Sequence, residues 1–402
     1  MRPVVDGLGI VSPNGLGTED YWAATLRGTS GIRRITRFDP GRYPSQLAGE
    51  VRDFDPAAHL ASRLLPQTDQ MTRLALVASD WALADAGVDP AELPEYGAGV
   101  LTASASGGFD FGQRELEKLW SKGSEHVSAY QSFAWFYAVN TGQISIRHGL
   151  RGPGGVLVGD QAGGLDAVAQ ARRNLRRGAV AMLTGGVDSA LCPWGWVAQL
   201  AGRELSTARS PQAAFLPFDV AARGHVPGEG GAILYLTTAE RARHPYGEIA
   251  GYGTAFDPPP DSGRPPALGR AVRLALADAE LTPADVDVVF ADGAGRAEAD
   301  AAEAAAVNAV FGPGAVPVTV PKTMTGRLYS GGAALDLATA LLALRDQVIP
   351  PTINVTRPDP RHRLDLVTDG PRQARLRVAL VLARGHGGFN SAMVVRRAEG
   401  NH

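Results

Sequence analysis

Cysteine is all but missing from this 402-residue chain, in which Cys192 is the one thiol. A lone cysteine excludes a disulfide within the chain and any zinc site built on several thiolates, and it fits a reducing compartment such as the cytoplasm. Lysine is scarce beside arginine. An excess of one charge sign is missing as well: the formal net charge of -2 creates no global basic field that would gather nucleic acid. No run of about 18 apolar residues occurs, so no helix is expected to span a membrane. The opening Met1-Arg2-Pro3-Val4-Val5-Asp6-Gly7 lacks the apolar core and cleavage site of a secretory signal. His225 and His386 have no metal-ligand spacing, and Gly228-Glu229-Gly230-Gly231 lacks the lysine and hydroxyl residue of a phosphate loop. Neither a metal nor a cofactor is therefore expected.

What is present is repetition. Hydrophobic residues at 45% and charged residues at 20% suit an ordinary globular protein. Within it, VVDGLGIVSP at 4–13 is echoed by IAGYGTAFDP at 249–258, each reading as a buried strand broken by glycine and followed by a turn. VLVGDQAGGLDAVAQARRNL at 156–175 is echoed by VTVPKTMTGRLYSGGAALDLATALL at 318–342, each a β-rich run, a glycine turn and an apolar helix. AVAMLTGGVDSALC at 179–192 and ALVLARGHGGFNSAMV at 379–394 each read as two strands around a glycine bend. The same parts in the same order predict two similar α/β halves of about 200 residues each, divided as 1–246 and 247–402. Short unalternating apolar strands such as Val286-Asp287-Val288-Val289-Phe290 suit sheets covered by helices on both faces. The proline-rich stretch from Phe256 to Pro266 predicts a loop, with a helix following over 268–279.

The turn Gly159-Asp160-Gln161-Ala162-Gly163-Gly164-Leu165-Asp166 carries a strand into a helix. Such a turn presents its central side chain at a helix N-terminus, where free N–H groups and partial positive charge favour an anion. The central residue here is Gln161. A carboxamide has no ionisable nucleophile and forms no stable acyl-enzyme, although it donates and accepts hydrogen bonds.

From Gly7-Leu8-Gly9-Ile10-Val11-Ser12-Pro13 to Gly385-His386-Gly387-Gly388-Phe389-Asn390 the chain resembles a β-ketoacyl synthase. The resemblance implies a thiolase-like duplicated five-layer α-β-α-β-α fold. In active members the position matched by Gln161 is a catalytic cysteine. Asp292, in Ala291-Asp292-Gly293-Ala294-Gly295, stands where one catalytic histidine belongs. Arg327, in Lys322-Thr323-Met324-Thr325-Gly326-Arg327, stands where the other does. Two imidazoles have become an anion and a permanent cation, so Asp292 and Arg327 are expected either to pair or each to face solvent in a vacated pocket. The glutamine turn, Cys192-Pro193-Trp194-Gly195-Trp196-Val197-Ala198-Gln199-Leu200 and the segment from Phe133 to Gln143 resemble the chain length factors (KSβ) of type II aromatic polyketide synthases. That resemblance implies a heterodimer with a catalytic ketosynthase subunit and an acyl carrier protein bearing malonyl and polyketide groups.

It further implies a tunnel gate on Phe109, Gly112 and Leu116, which fall at i, i+3 and i+7 on one helix face, within a gating and dimer-interface insertion over about 105–145. Glycine costs a helix about 1 kcal/mol relative to alanine, so Gly112 suggests a need for space. A roomy gate and a product longer than an octaketide are expected. Without the resemblance, Phe109 and Leu116 read as core and Gly112 as a helix start. Phe133, Trp135 and Phe136, with Tyr137, read as core or as an interface, and the family favours interface. Cys192 reads as buried and inert, and the run from Arg172 to Arg177 as a solvated basic helix face.

A second function remains open, in which Gln161 steadies the enolate formed as malonyl-carrier protein loses carbon dioxide and so supplies an acetyl primer. A third is a stand-alone condensing enzyme or binding homodimer.

Overall fold

The structure is a computed structural model and describes residues 2–398; Met1, at the head of the segment read as no secretory signal, lies outside them. The first half runs through β1 (Pro3–Ser12), α1 (Gln70–Asp85), β2 (Ala98–Ala103), α2 (Phe109–Lys122), α3 (Val139–His148) and β3 (Gly154–Leu157). It continues with α4 (Gly163–Arg176), β4 (Ala181–Asp188), α5 (Pro193–Ala201) and β5 (Gly230–Thr238). The second half is β6 (Gly247–Phe256), α6 (Leu268–Asp278), β7 (Val288–Phe290), α7 (Ala297–Phe311), β8 (Pro317–Thr319), α8 (Ser330–Asp346), β9 (Val378–Gly385) and β10 (Phe389–Arg397).

The duplication is explicit in the sheets. The first has the order β3-β2-β4-β5-β1 and the second β8-β7-β9-β10-β6, to which the two-residue strand Asp365–Leu366 adds outside β8, with parallel pairs on the outer side and antiparallel pairs toward the centre in both. They meet where β1 pairs with β6, Val4 opposite Glu248 and Val5 opposite Gly247. α1 and α3 cover the outer face of the first sheet, α4 and α8 fill the middle, and α6 and α7 cover the second. This is the expected five-layer arrangement. α8 is buried on every side from Ser330 to Leu344, as a helix between two sheets must be. Its Gly-Ala-Leu composition leaves no polar face to expose.

Two of the sequence expectations need correction. The glycines of the first repeat do not end their strands: β1 and β6 continue through them, with a shift of register just before Gly7 in β1 and just before Gly251 in β6. A Cβ on Gly9 would stand 1.8 Å from the Ala78 carbonyl of α1, and one on Gly253 would stand 2.2 Å from the Ala271 carbonyl of α6. The glycines thus let a helix lie against the strand, identically in each half. In the third repeat, 379–394 is the β9–β10 hairpin, but 179–192 is the single strand β4 and a loop. Its antiparallel partner is β5, about 40 residues later, so an insertion between the two strands hides the repeat.

The basic run after the glutamine turn also differs from its reading. Arg172 is 4% exposed. Its guanidinium pairs with Asp278 and donates to the Ala250 carbonyl at 2.5 Å, tying α4 to the second half. Arg176 and Arg177 do face solvent.

Candidate functional site

β3 ends just before Gly159, and the chain turns through Asp160, at φ 49°, into α4. This puts Gln161 at the base of a cavity of about 620 Å³, whose wall includes Asp292, Arg327, Tyr329, His225 and Phe109. Gln161 is buried, and with its amide turned to the orientation that satisfies both ends, Nε2 donates to the Tyr329 carbonyl and Oε1 accepts from the Tyr329 N–H, each at 3.0 Å. Tyr329 sits at φ 54°, ψ -131°, a region that costs a non-glycine residue about 1–3 kcal/mol. The two-point clasp is positioned to hold that strained peptide at the head of α8.

Asp292 follows β7 and Arg327 precedes α8, so the crossing of two loops brings them together. Arg327 Nη1 lies 2.9 Å from Asp292 Oδ2, and Nη2 lies 3.2 Å from Oδ1. The guanidinium also donates to the Asp292 carbonyl at 3.3 Å and the Arg384 carbonyl at 3.2 Å. Lys322 lies alongside, its Nζ 2.9 Å from the Asp292 carbonyl and 2.6 Å from Asp336 Oδ2. Beneath the pair, Glu303 accepts from the N–H of Asp292 at 2.7 Å and of Gly293 at 2.9 Å.

These contacts fix the charges. Burial opposes ionisation of Asp292, yet Arg327 and then Lys322 hold its carboxyl below the ordinary value. Glu303 goes the other way: burial, and then the Asp292 charge, push it up to about 7. Burial and then the Arg327 charge press the His225 imidazole down to about 3, so it stays neutral. Around Gln161 the cavity therefore offers a closed ion pair and a neutral imidazole, and its wider lining adds Asp160, Glu204, Asp257, Tyr329 and His386 but, among the described residues, no cysteine. Nor does Cys192 supply a nucleophile from elsewhere. It is buried, caps α5 by accepting from the Gly195 N–H at 3.4 Å, and burial raises its thiol to about 11. A thiol held neutral in this way is inert.

Phe109 opens α2 and lines the same cavity. Its ring stacks on Trp194 with centroids 4.6 Å apart and planes 10° from parallel. Gly112, one turn on, faces the same indole, and a Cβ there would lie 3.1 Å from Trp194 Cζ3 and 3.5 Å from Trp135 Cβ. Leu116, a further turn along, is 36% exposed. The structure thus brings Phe109 and Gly112 together against Trp194 and leaves Leu116 at the surface. Phe133 is half-buried against Tyr130, while Trp135, Phe136 and Tyr137 are exposed in a row. The carbonyl of Trp135 accepts from the Gly108 N–H at 3.0 Å, so the aromatic segment is fastened to the start of α2.

Sequence reasoning missed Trp194 as the partner of Phe109, and Glu303 and Asp336 as the base of the ion-pair cluster. Pro193 behind a cap residue does mark Trp194 as lying in a first helical turn. Nothing local marks its contact with a helix so far upstream.

The whole chain has matches among known families. The N-terminal domain of β-ketoacyl synthase matches residues 1–242 and the C-terminal domain matches 246–356. The tetracenomycin polyketide synthase ketoacyl synthase beta subunit of Streptomyces glaucescens is 62% identical over 98% of this chain and 98% of its own. Among solved structures, the ishigamide ketosynthase/chain length factor superposes with a TM-score of 0.91 at 27% identity, covering 99% of each chain. A type II polyketide synthase acyl carrier protein in complex with its ketosynthase bound to the hexaketide gives a TM-score of 0.88 at 27% identity, again over 99% of each chain. The chain belongs to the β-ketoacyl synthase family as one of the ketosynthase β subunits, the chain length factors of type II polyketide synthases.

Proposed function

We propose that this chain works as the non-condensing half of a ketosynthase heterodimer, lining the path of the growing poly-β-ketone and fixing where it stops. The observation that carries this is the bidentate Arg327–Asp292 pair beside Gln161. The positions that would activate a thioester are consumed in an ion pair and a backbone clasp. Carbon–carbon bond formation then falls to the partner subunit, which extends the chain with malonyl units delivered on acyl carrier protein. We place the assembly in the cytoplasm, a setting that the single cysteine of the chain, Cys192, fits, and take the halves as 1–246 and 247–402.

The partner-facing surface is supported by two neighbouring features. Trp135, Phe136 and Tyr137 present exposed aromatic area, which interfaces favour. Among the described residues β3 pairs with β2 on one side only, and an open edge is a ready template for a strand of another chain. Phe109, Gly112 and Leu116 on α2 form the stop. The support is that Gly112 lets the Trp194 indole pack closely where any side chain would crowd it, and that Leu116 fills less than an aromatic residue. A roomy stop allows a product longer than an octaketide.

The test is reconstitution of the heterodimer with carrier protein and a malonyl donor, with the partner's own nucleophilic cysteine removed. The proposal expects no polyketide from this half alone. Carbon dioxide release that survives in that assembly and vanishes with Gln161→Ala would instead favour the decarboxylating role. In that role only the second Nε2 hydrogen of Gln161 remains to serve, since Tyr329 takes the first and the carbonyl oxygen.

A further inference from the structure

The stop is built on the first turn of α2, and that turn carries free backbone N–H groups that need partners. One comes from a distant element. Asp69 precedes α1 and is wholly buried. Its Oδ1 accepts from the Met71 N–H at 2.9 Å, the N-cap bond of α1. Its Oδ2 reaches across 42 residues of sequence to accept from the Phe111 N–H at 2.8 Å. One carboxylate thus caps two helices. α1 is packed along β1 in the core, so it is the fixed end of the link. The side chain of Phe111 is buried, while Phe109 and Gly112 on either side of it meet Trp194. The fit is close, since a Cβ on Gly108 would stand 3.0 Å from the Cβ of Asp69.

Resting on the reading of α2 as the stop, we infer that Asp69 is a positioning residue for chain length. By capping α1 and α2 with one buried carboxylate, it sets where Phe109 and Gly112 stand. It touches neither the polyketide nor the partner. Without the bond to Phe111, the start of α2 keeps the Gly108 N–H on the Trp135 carbonyl and the Phe109 N–H on the Gly107 carbonyl, and Gln113 accepts from the Trp194 N–H at 2.7 Å. The Phe109–Trp194 stack then gains freedom to part and let the chain grow past its usual length.

The substitution that separates this role from simple capping is Asp69→Ser. Serine is as good an N-cap as aspartate for α1, but its oxygen sits one bond closer to the backbone and cannot also reach the Phe111 N–H. In the reconstituted heterodimer, product masses should broaden toward chains longer by one or more two-carbon units. Hydrogen exchange at the Phe111 amide should rise about tenfold, while the Met71 amide stays protected. Asp69→Asn, which keeps one acceptor of the original reach, should return the distribution part of the way. Gly112→Phe run in parallel keeps the two ideas apart. If it shortens the product while Asp69→Ser leaves the distribution unchanged, the stop stands and the positioning role is overturned. If neither changes product length, both fall. Should Asp69→Ser fail to assemble with the partner, Asp69→Asn and its exchange at Phe111 are read instead, and unchanged exchange with unchanged products overturns the role.

Discussion

Arg327 lies face to face with Asp292, two nitrogens on two oxygens at 2.9 and 3.2 Å, with both side chains buried. A planar guanidinium matches a carboxylate in this way as an ammonium or imidazole does not. The pair forms one wall of the cavity above Gln161, and its energetics can be tested separately from its role in the complex. Removing one partner leaves the other charge buried and unpaired, at a cost of about 3–5 kcal/mol. Asp292→Ala and Arg327→Ala should each lower the unfolding midpoint of the heterodimer sharply. The double variant should cost much less than their sum, which a thermal double-mutant cycle measures.

Glu303 beneath the pair gives a pH dependence of definite sign. Its carboxyl, ordinarily near 4.5, is pushed up to about 7 by burial and by the Asp292 charge. The fold therefore prefers the protonated form. The stability this group contributes is complete below its unfolded value and is lost as the pH rises toward 7. Asp292, held low, contributes in the opposite sense: its share is present above its unfolded value and lost as the solution turns acid. Between pH 5 and 8 the unfolding midpoint should fall, with a smaller slope in Glu303→Gln. An identical slope in that variant would remove Glu303 from the account. Thermal melts across buffers of equal ionic strength read this directly.

The aromatic row sets the strength of assembly. Trp135 is 43% exposed and Tyr137 40%, an unusual outlay of apolar surface for a chain without a partner there. Trp135→Ala should weaken association with the catalytic subunit more than tenfold, in keeping with buried aromatic anchors at other interfaces. Its own folding should change little. Sedimentation or calorimetric titration of the two purified subunits gives the number, and wild-type affinity would move the interface elsewhere.

Gln161 separates a structural role from a chemical one. Removing its amide in Gln161→Ala frees the strained Tyr329 peptide and should lower stability by about 1–3 kcal/mol. Product length and carbon dioxide release should hold if the amide is only a clasp. Loss of release at unchanged stability would point to the enolate-stabilising role.

Much of this was legible in the residues. The duplicated glycine-marked strands gave away the two halves, because a helix can lie against β1 or β6 only where Gly9 or Gly253 admits it. An Asp292–Arg327 pair was one of the two outcomes that opposite charge and expected proximity allowed, the other being that each faced solvent, and the structure shows the pair. Other features resisted for physical reasons. The strand pair of the first half was hidden because β5 comes only after an insertion. Arg172 looked like one of a basic solvent face, yet Asp278 from the other half buries it. The Phe109–Trp194 stack and the Asp69–Phe111 bond join elements far apart in sequence. No periodicity reports such contacts, and only the fold brings them within reach.

The central claim is that α2 of this subunit determines where the polyketide ends. The most direct test is the mass of the product released by the heterodimer carrying Gly112→Phe, reconstituted with carrier protein and malonyl donor beside the wild type. A ring at position 112 must press on Trp194, 3.1 Å from the Cβ it would bring, and so narrow the stop. The account predicts a wild-type product longer than an octaketide and a variant product shorter by at least one two-carbon unit. Products of equal mass from a variant that assembles normally would contradict it.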